Sequence, residues 1–352
     1  MGQLRSAFGI TLIIGALVAA AAWYARLSDR GQSMELYFNA ATPSETPSLP
    51  PVFGWLDWGA DGETTLLTYA YNAEQGITLF NLPQKSSRKI KNVGLGAMSA
   101  ARLSPDRRHV LAATQAGALW WIDVDAPDSP ARLADLPSPQ VFPSLAITGR
   151  GDWIAAGSTA GALLLWNPTN SGRVHIATAS PVADVRFSGD GLRLVSAHAD
   201  GAVRVWEVTT GAALAEFAHE GPALASAFLP DSERIISAGG DDTFRMWEIA
   251  GEQEYWRQET EPLGARSLAV SADGSLAACG GHSHCIIVWD LDRCESKFEI
   301  FTSASSVSHL SFSPDSSQLA ALETDGERSF RLYDMQRGRL VRRISMEGED
   351  IP

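Results

Sequence analysis

Only three cysteines stand among the 352 residues, and an odd number leaves at least one thiol unpaired, so a disulfide-built scaffold is excluded. All three, Cys279, Cys285 and Cys294, fall close together near the C-terminal end. A four-residue turn at 281 to 284 sets Cys279 opposite Ile286 and Gly280 opposite Cys285, which predicts that Cys279 and Cys285 lie on opposite faces with no bond between them. Positive charge is scarce as well. Lys and Arg number 28 against 41 Asp and Glu, a net charge of -13, and no cluster of five basic residues occurs. Nucleic acid, whose phosphates demand Lys and Arg, is not expected as a partner. A Walker lysine loop, G-x-G-x-x-G, C-x-x-C-H and G-x-S-x-G are all missing. Nucleotide, c-type haem and hydrolase-elbow readings therefore have no support.

What the chain does have is a repeat. The stretch His219 to Trp247 reads HEGPALASAFLPDSERIISAGGDDTFRMW. A Pro230-Asp231 turn and a Gly239-Gly240-Asp241-Asp242 turn divide it into three short apolar runs, the signature of strands joined by tight turns. Aligning the third run with its counterparts marks Phe80, Ile122, Trp166, Trp206, Trp247, Trp289 and Tyr333, at intervals of 40 to 44 residues. A Gly, Asp or Pro turn precedes each: Asp61-Gly62, Pro105-Asp106, Gly149 to Gly151, Asp190-Gly191, Pro230-Asp231, Asp273-Gly274 and Pro314-Asp315. Self-similarity at this period means stacked units, none of which hides its apolar faces alone.

The pattern resembles the WD40-repeat family, whose third strand ends on Trp-Asp, here Trp289-Asp290 and, softened, Trp206-Glu207 and Trp247-Glu248. The resemblance covers about 52 to 346 and implies an all-β, seven-bladed β-propeller of four-stranded blades. It also implies, inside each blade, a buried network of a His before the first strand, a Ser on the second, an Asp in the following turn and the Trp on the third. His219, Ser237, Asp241 and Trp247 match all four positions. The preceding copy keeps Ser196, Asp200 and Trp206 but has no His near Thr178. Strands are expected near 52 to 58, 64 to 71, 76 to 82 and 87 to 92 in the first blade. Arg339 to Met346 is expected to complete the last one, with Met34 to Phe38 as the alternative.

Residues 1 to 6 form a short tail. Residues 7 to 24, AFGITLIIGALVAAAAWY, carry no charge and as a helix would rise about 27 Å, close to a bilayer's hydrocarbon thickness. A retained single-pass transmembrane helix is expected. A cleaved signal peptide is the alternative, since Ala20-Ala21-Ala22 suits a cleavage site, and a buried helix is a third reading. Positive charge on the two flanks is nearly balanced, and an N-terminal position favours placing the propeller on the extracytoplasmic side, although the unpaired cysteine argues the other way. Residues 25 to 51 form a linker whose 40 to 51, AATPSETPSLPP, favours an extended spacer. The propeller is assigned 52 to 347, and 348 to 352 form a tail.

Three constellations invite a chemical reading. His219, Ser237 and Asp241 are the residue types of a hydrolase triad, but Ser237 lies mid-strand with no elbow to expose it, so the reading is a structural staple. His282, His284 and Cys285 crowd one turn, yet adjacent strand residues diverge and no ligand cluster elsewhere completes a metal site. Asp57 and Asp61-Gly62-Glu63 miss the spacing of a calcium loop. No catalytic residue, metal site or cofactor is therefore assigned. The expected function is a non-enzymatic, membrane-tethered scaffold that binds other proteins. Its candidate partner-binding rim is Gln115, Gln140, Thr159, Pro181, His198, Glu220, Pro262, His282 and His284. The alternative is an exported propeller enzyme, or a ligand or metal binder, with its site in the central channel.

Overall fold

The computed structural model describes residues 52–58, 64–70, 77–81, 86–90, 95, 98–135, 141–260, 265–281, 284–302, 306–323 and 329–345. The expected membrane helix, the linker, Met34 to Phe38, Asp61 to Glu63 and both tails lie outside them. Among the described residues no helix is long and apolar enough to cross a membrane.

Every described element is a strand, and the strands form four-stranded antiparallel sheets in simple chain order. Sheet 1 holds β1 (Val52–Trp58), β2 (Thr64–Ala70), β3 (Ile77–Asn81) and β4 (Ser86–Ile90). Sheet 2 holds β5 (Met98–Leu103), β6 (His109–Thr114), β7 (Ala118–Asp123) and β8 (Ala131–Asp135). Sheet 3 follows with β9 (Ser144–Ile147), β10 (Ile154–Gly157), β11 (Ala162–Trp166) and β12 (Arg173–Ala177). In sheet 4 are β13 (Val182–Phe187), β14 (Arg193–His198), β15 (Ala202–Glu207) and β16 (Ala213–Ala218). Sheet 5 consists of β17 (Ala223–Phe228), β18 (Arg234–Gly239), β19 (Thr243–Glu248) and β20 (Gln253–Glu259). Sheet 6 is β21 (Ala265–Val270), β22 (Leu276–Gly281), β23 (Cys285–Asp290) and β24 (Glu295–Phe301). Sheet 7 is β25 (Val307–Phe312), β26 (Gln318–Glu323), β27 (Ser329–Asp334) and β28 (Arg339–Ser345), so its outer strand is the chain's own C-terminal segment.

The turns that sequence reading picked out do the folding work. The turn between the first and second strands closes on a residue with left-handed φ, namely Arg107, Gly151, Gly191, Ser232, Gly274 and Ser316 in sheets 2 to 7. An acidic residue pins most of them: Asp190 takes the Ser188 hydroxyl at 2.5 Å and the Leu192 amide at 2.9 Å, and Asp273 and Asp315 repeat the arrangement with Ser271 and Ser313. Such local bonds fix a tight reversal and, with it, the register of the hairpin.

Packing follows from the second strands being apolar on both faces. In β14, β18 and β26 every residue after the first is buried, whereas β12 and β20 are largely exposed. The apolar clusters therefore lie between sheets. One joins Phe244 and Met246 of sheet 5 to Leu268, Cys279 and Trp289 of sheet 6, and another joins Ala278 and Val288 of sheet 6 to Leu310 and Tyr333 of sheet 7. Sheets 2 to 6 have both faces covered by their neighbours, which is why strict alternation is lost in their middle strands. The first strand of each sheet touches the first strand of the next, and β25 touches β1. This arrangement is consistent with a β-propeller.

Polar side chains stitch those first strands together. Ser144 Oγ accepts the Val185 amide at 3.1 Å and donates to Asp184 at 2.9 Å, Asp184 accepts the Ser226 amide at 3.3 Å, and Ser267 Oγ accepts the Leu310 amide at 2.8 Å. Arg102 Nε donates to the Leu145 carbonyl at 2.6 Å. Asp184, Arg102 and His309 are buried polar residues of the first strands, and Asp184 and Arg102 bond to neighbouring first strands.

Candidate functional site

The best-furnished polar site is inside sheet 5. His219 sits in the connection leading from β16 to β17, Ser237 on β18, Asp241 in the turn after β18, and Trp247 on β19. Ser237 Oγ lies 2.7 Å from His219 Nε2 and accepts the Trp247 indole N–H at 2.8 Å. His219 Nδ1 lies 3.0 Å from Asp241. Asp241 further accepts the Thr243 hydroxyl at 2.7 Å, the Glu220 amide at 2.9 Å and an Arg245 guanidinium N–H at 2.7 Å.

Partner logic orders the protons. The ionised Asp241 can only accept, so Nδ1 carries the hydrogen between them, and with burial disfavouring a charged ring Nε2 accepts the Ser237 hydroxyl proton while that oxygen accepts the indole N–H. The imidazole is thus neutral. Burial lowers the His219 pKa, with Asp241 only partly restoring it. Burial would raise Asp241, but the Thr243 hydroxyl, the Glu220 amide and His219 outweigh it and hold the carboxyl at about 2. Chemically this is a Ser-His-Asp relay with its nucleophile stoppered: Ser237 has no exposed surface and its oxygen is already engaged by Trp247. An attacking serine needs substrate access, so the constellation ties strands and connections together.

Sheet 4 solves the same problem differently. Ser196 Oγ accepts the Trp206 indole N–H at 2.7 Å, and the imidazole beside it, also at 2.7 Å, belongs to His198, two residues further along β14. The copy lacks a His near Thr178 but has one on its serine from the strand, and this corrects the expectation for His198, which is not a rim residue but wholly buried. The cause is geometric: residues two apart on a strand share a face, so His198 reaches Ser196 directly. Its pKa is lowered to about 4, by burial first and then by Arg204. Asp200, relieved of an imidazole, is exposed and instead takes the Ala202 amide and an Arg204 guanidinium at 3.2 Å.

A third network escaped the sequence reading. In sheet 7 Glu323, with no exposed surface, accepts the Tyr333 hydroxyl at 2.6 Å and pairs with Arg331. Burial, then the Glu323 charge, raises the Tyr333 pKa. The signal was present in the spacing, because Glu323 precedes Tyr333 by the interval that separates Ser237 from Trp247 and Ser196 from Trp206, and Arg331, Arg245 and Arg204 share the position two before the ring.

The cysteines also need correcting. Cys279 pairs in register with Ile287 and Gly280 with Ile286, one residue off the expected register. Cys279 and Cys285 consequently pack against the same apolar cluster instead of opposite faces, and none of the three cysteines is in a disulfide. Burial pushes the Cys279 thiol up to about 12.

Of the other rim candidates, Thr159, Pro181, Glu220 and His284 are exposed and Gln115 is half-buried, while Gln140, Pro262 and His282 lie outside the described residues. Strand order brings the connections between sheets and the turns between second and third strands to one end. There they brace each other: the Thr159 amide donates to the Val141 carbonyl at 2.9 Å, the Ala199 amide to Pro181 at 3.0 Å and the Gly240 amide to Pro222 at 2.7 Å. Among the described residues no group of three metal-ligating side chains occurs.

Set against models of known families, three stretches match the WD domain, G-beta repeat: residues 170–207, 211–248 and 260–290. Each match closes on a third strand, at Glu207, Glu248 and Asp290. The two networks built on Ser196 and Ser237 both lie within this region.

Proposed function

From a chain that carries WD40 repeats across residues 170–290, we propose that this protein is a membrane-tethered, non-enzymatic scaffold. Its sheets would close as a seven-bladed propeller and hold other proteins on one rim. WD40 repeats support a role in binding other proteins. The observation that carries the reading is the contrast within the repeats: the networks on Ser196, Ser237 and Glu323 are buried and spent on bracing, while Thr159, Pro181, Glu220 and His284 face solvent from connections held rigid by main-chain bonds. Exposed loop residues on a rigid frame can be shaped to a partner without unfolding it. In this reading residues 7 to 24 anchor the chain, 25 to 51 space the propeller from the bilayer, and the propeller stands on the extracytoplasmic side.

The test is affinity purification of the full chain from a mild detergent extract, with a parallel preparation carrying Thr159→Arg and Glu220→Arg. Stoichiometric partners recovered with the native chain and lost with the variant, at unchanged melting temperature, support the scaffold. A native chain that emerges alone overturns it. Retention in the membrane pellet through an alkaline carbonate wash tests the anchor separately.

A further inference from the structure

We propose that the outer strands of sheets 7 and 1 form a basic docking face for an anionic lipid surface, with Leu340 and Val341 seated among the headgroups. The proposal rests on reading residues 7 to 24 as a membrane anchor.

The charge is placed, not scattered. In a chain of net charge -13, β28 carries Arg339, Arg342 and Arg343 and no acidic residue, and β4 carries Arg88 and Lys89 and no acidic residue. The other five outer strands are different. β8 has one residue of each sign, β12 a single Arg, β16 a single Glu, and β20 and β24 two Glu each against one basic residue. The two basic strands belong to adjacent sheets, since β1 touches both β25 and β26. Arg337, exposed in the turn before β28, extends the patch.

Apolar surface accompanies it. Leu340 is 50% and Val341 58% exposed, and the register between β27 and β28 shifts at this point, from Leu332↔Arg342 to Tyr333↔Leu340, leaving Val341 as the extra residue. Charged side chains and bulges also guard sheet edges against unwanted pairing. That purpose is served by either sign and does not call for the single sign that β28 and β4 carry. Basic residues flanking exposed aliphatics are what an anionic bilayer surface attracts. The entry of the chain agrees: residues preceding Val52 lead into β1, the inner strand of one of these two sheets. An acidic protein held near anionic lipid is repelled except where such a patch turns toward it, so the face would orient the propeller.

The experiment places the full chain in nanodiscs of phosphatidylcholine alone or with one third phosphatidylglycerol and follows amide hydrogen exchange. Expected is a fivefold or greater slowing over β28 with phosphatidylglycerol, reversed in 0.5 M salt and abolished by Arg337→Glu with Arg339→Glu, while β18 exchanges unchanged. Equal exchange in both lipids overturns the proposal and leaves edge protection as the role of the charges. Slowing produced equally by soluble polyglutamate overturns it in favour of an acidic polypeptide partner. The alkaline wash reports the anchor independently. If the chain is stripped by it, co-sedimentation of that same chain with phosphatidylglycerol but not phosphatidylcholine vesicles supports the patch, and its absence refutes it.

Discussion

A side chain at Gly239 would collide with His219 Nδ1, so the imidazole of sheet 5 occupies space that exists only because residue 239 has none. In sheet 4 the corresponding position, eight residues before the marker tryptophan, is His198 itself. An imidazole reaches the buried serine either from the connection or from the strand, and the two routes exclude each other. Gly239→Ala is therefore expected to cost about 1–3 kcal/mol through overpacking, measured by urea unfolding. Gly149→Ala, with nothing within 4 Å of the added carbon, is expected to stay within about 0.5 kcal/mol of native. Equal effects at the two sites would refute the exclusion.

Both buried imidazoles make stability depend on pH with a definite sign. His198 is held at about 4 and His219 is shifted the same way, against an ordinary value of 6.5. The unfolded chain therefore binds more protons than the folded one in that interval, so the contribution is fully present above 6.5 and is lost as pH falls toward 4. For His198 alone the loss is on the order of 3 kcal/mol. Asp241 acts lower, its contribution being present above 3.8 and lost toward 2. Urea unfolding of the native chain and of His198→Gln between pH 4.5 and 7.5 checks this. The variant, less stable at neutral pH, is expected to show the shallower decline, and parallel curves would refute the assignment.

Thiol accessibility separates the three cysteines. Cys279 is buried, with its thiol held protonated, while Cys285 and Cys294 are half-exposed. Only the thiolate reacts readily. A maleimide reagent on the native chain is thus expected to modify Cys294 and Cys285 and to leave Cys279 untouched until urea is added. Peptide mapping reads the result, and early modification of Cys279 would contradict the packing between sheets 5 and 6.

How far the sequence carried depended on where the information sits. Tight turns and short apolar runs are local, so the strands of sheet 1 came out within two residues of β1 to β4, and the outer strand at Arg339 within one. The network of sheet 5 was legible because each of its four members occupies a fixed offset. His198 was misplaced because a histidine at the end of a strand looks like a loop residue until the face it shares with Ser196 is considered. Glu323 was missed because a carboxylate at a serine's position makes sense only once Arg331 and Tyr333 are seen to neutralise and cap it. The cysteine hairpin failed on one residue of turn length, which inverts every facing along a strand.

Sheet 3 supplies the last expectation, because it keeps the ring but not its acceptor. Trp166 stands at the marker position, and the residue ten before it, where Ser196 and Ser237 receive their indoles, is Ala156. The Trp166 indole nitrogen is accordingly buried without a hydrogen-bond partner. A buried donor left unsatisfied costs about 1–3 kcal/mol, and a bond restored to it returns about 0.5–1.5 kcal/mol net. Ala156→Ser places a hydroxyl where two sister sheets hold theirs 2.7 and 2.8 Å from an indole nitrogen. It is expected to stabilise the chain within that range, while Ser237→Ala, which strips both Trp247 and His219 of a partner, destabilises it by more. The two changes lie in different sheets, so their effects should add. Chemical denaturation of the single and double variants decides the matter, and a destabilised Ala156→Ser would mean that β10 packs too closely to admit the network its neighbours share.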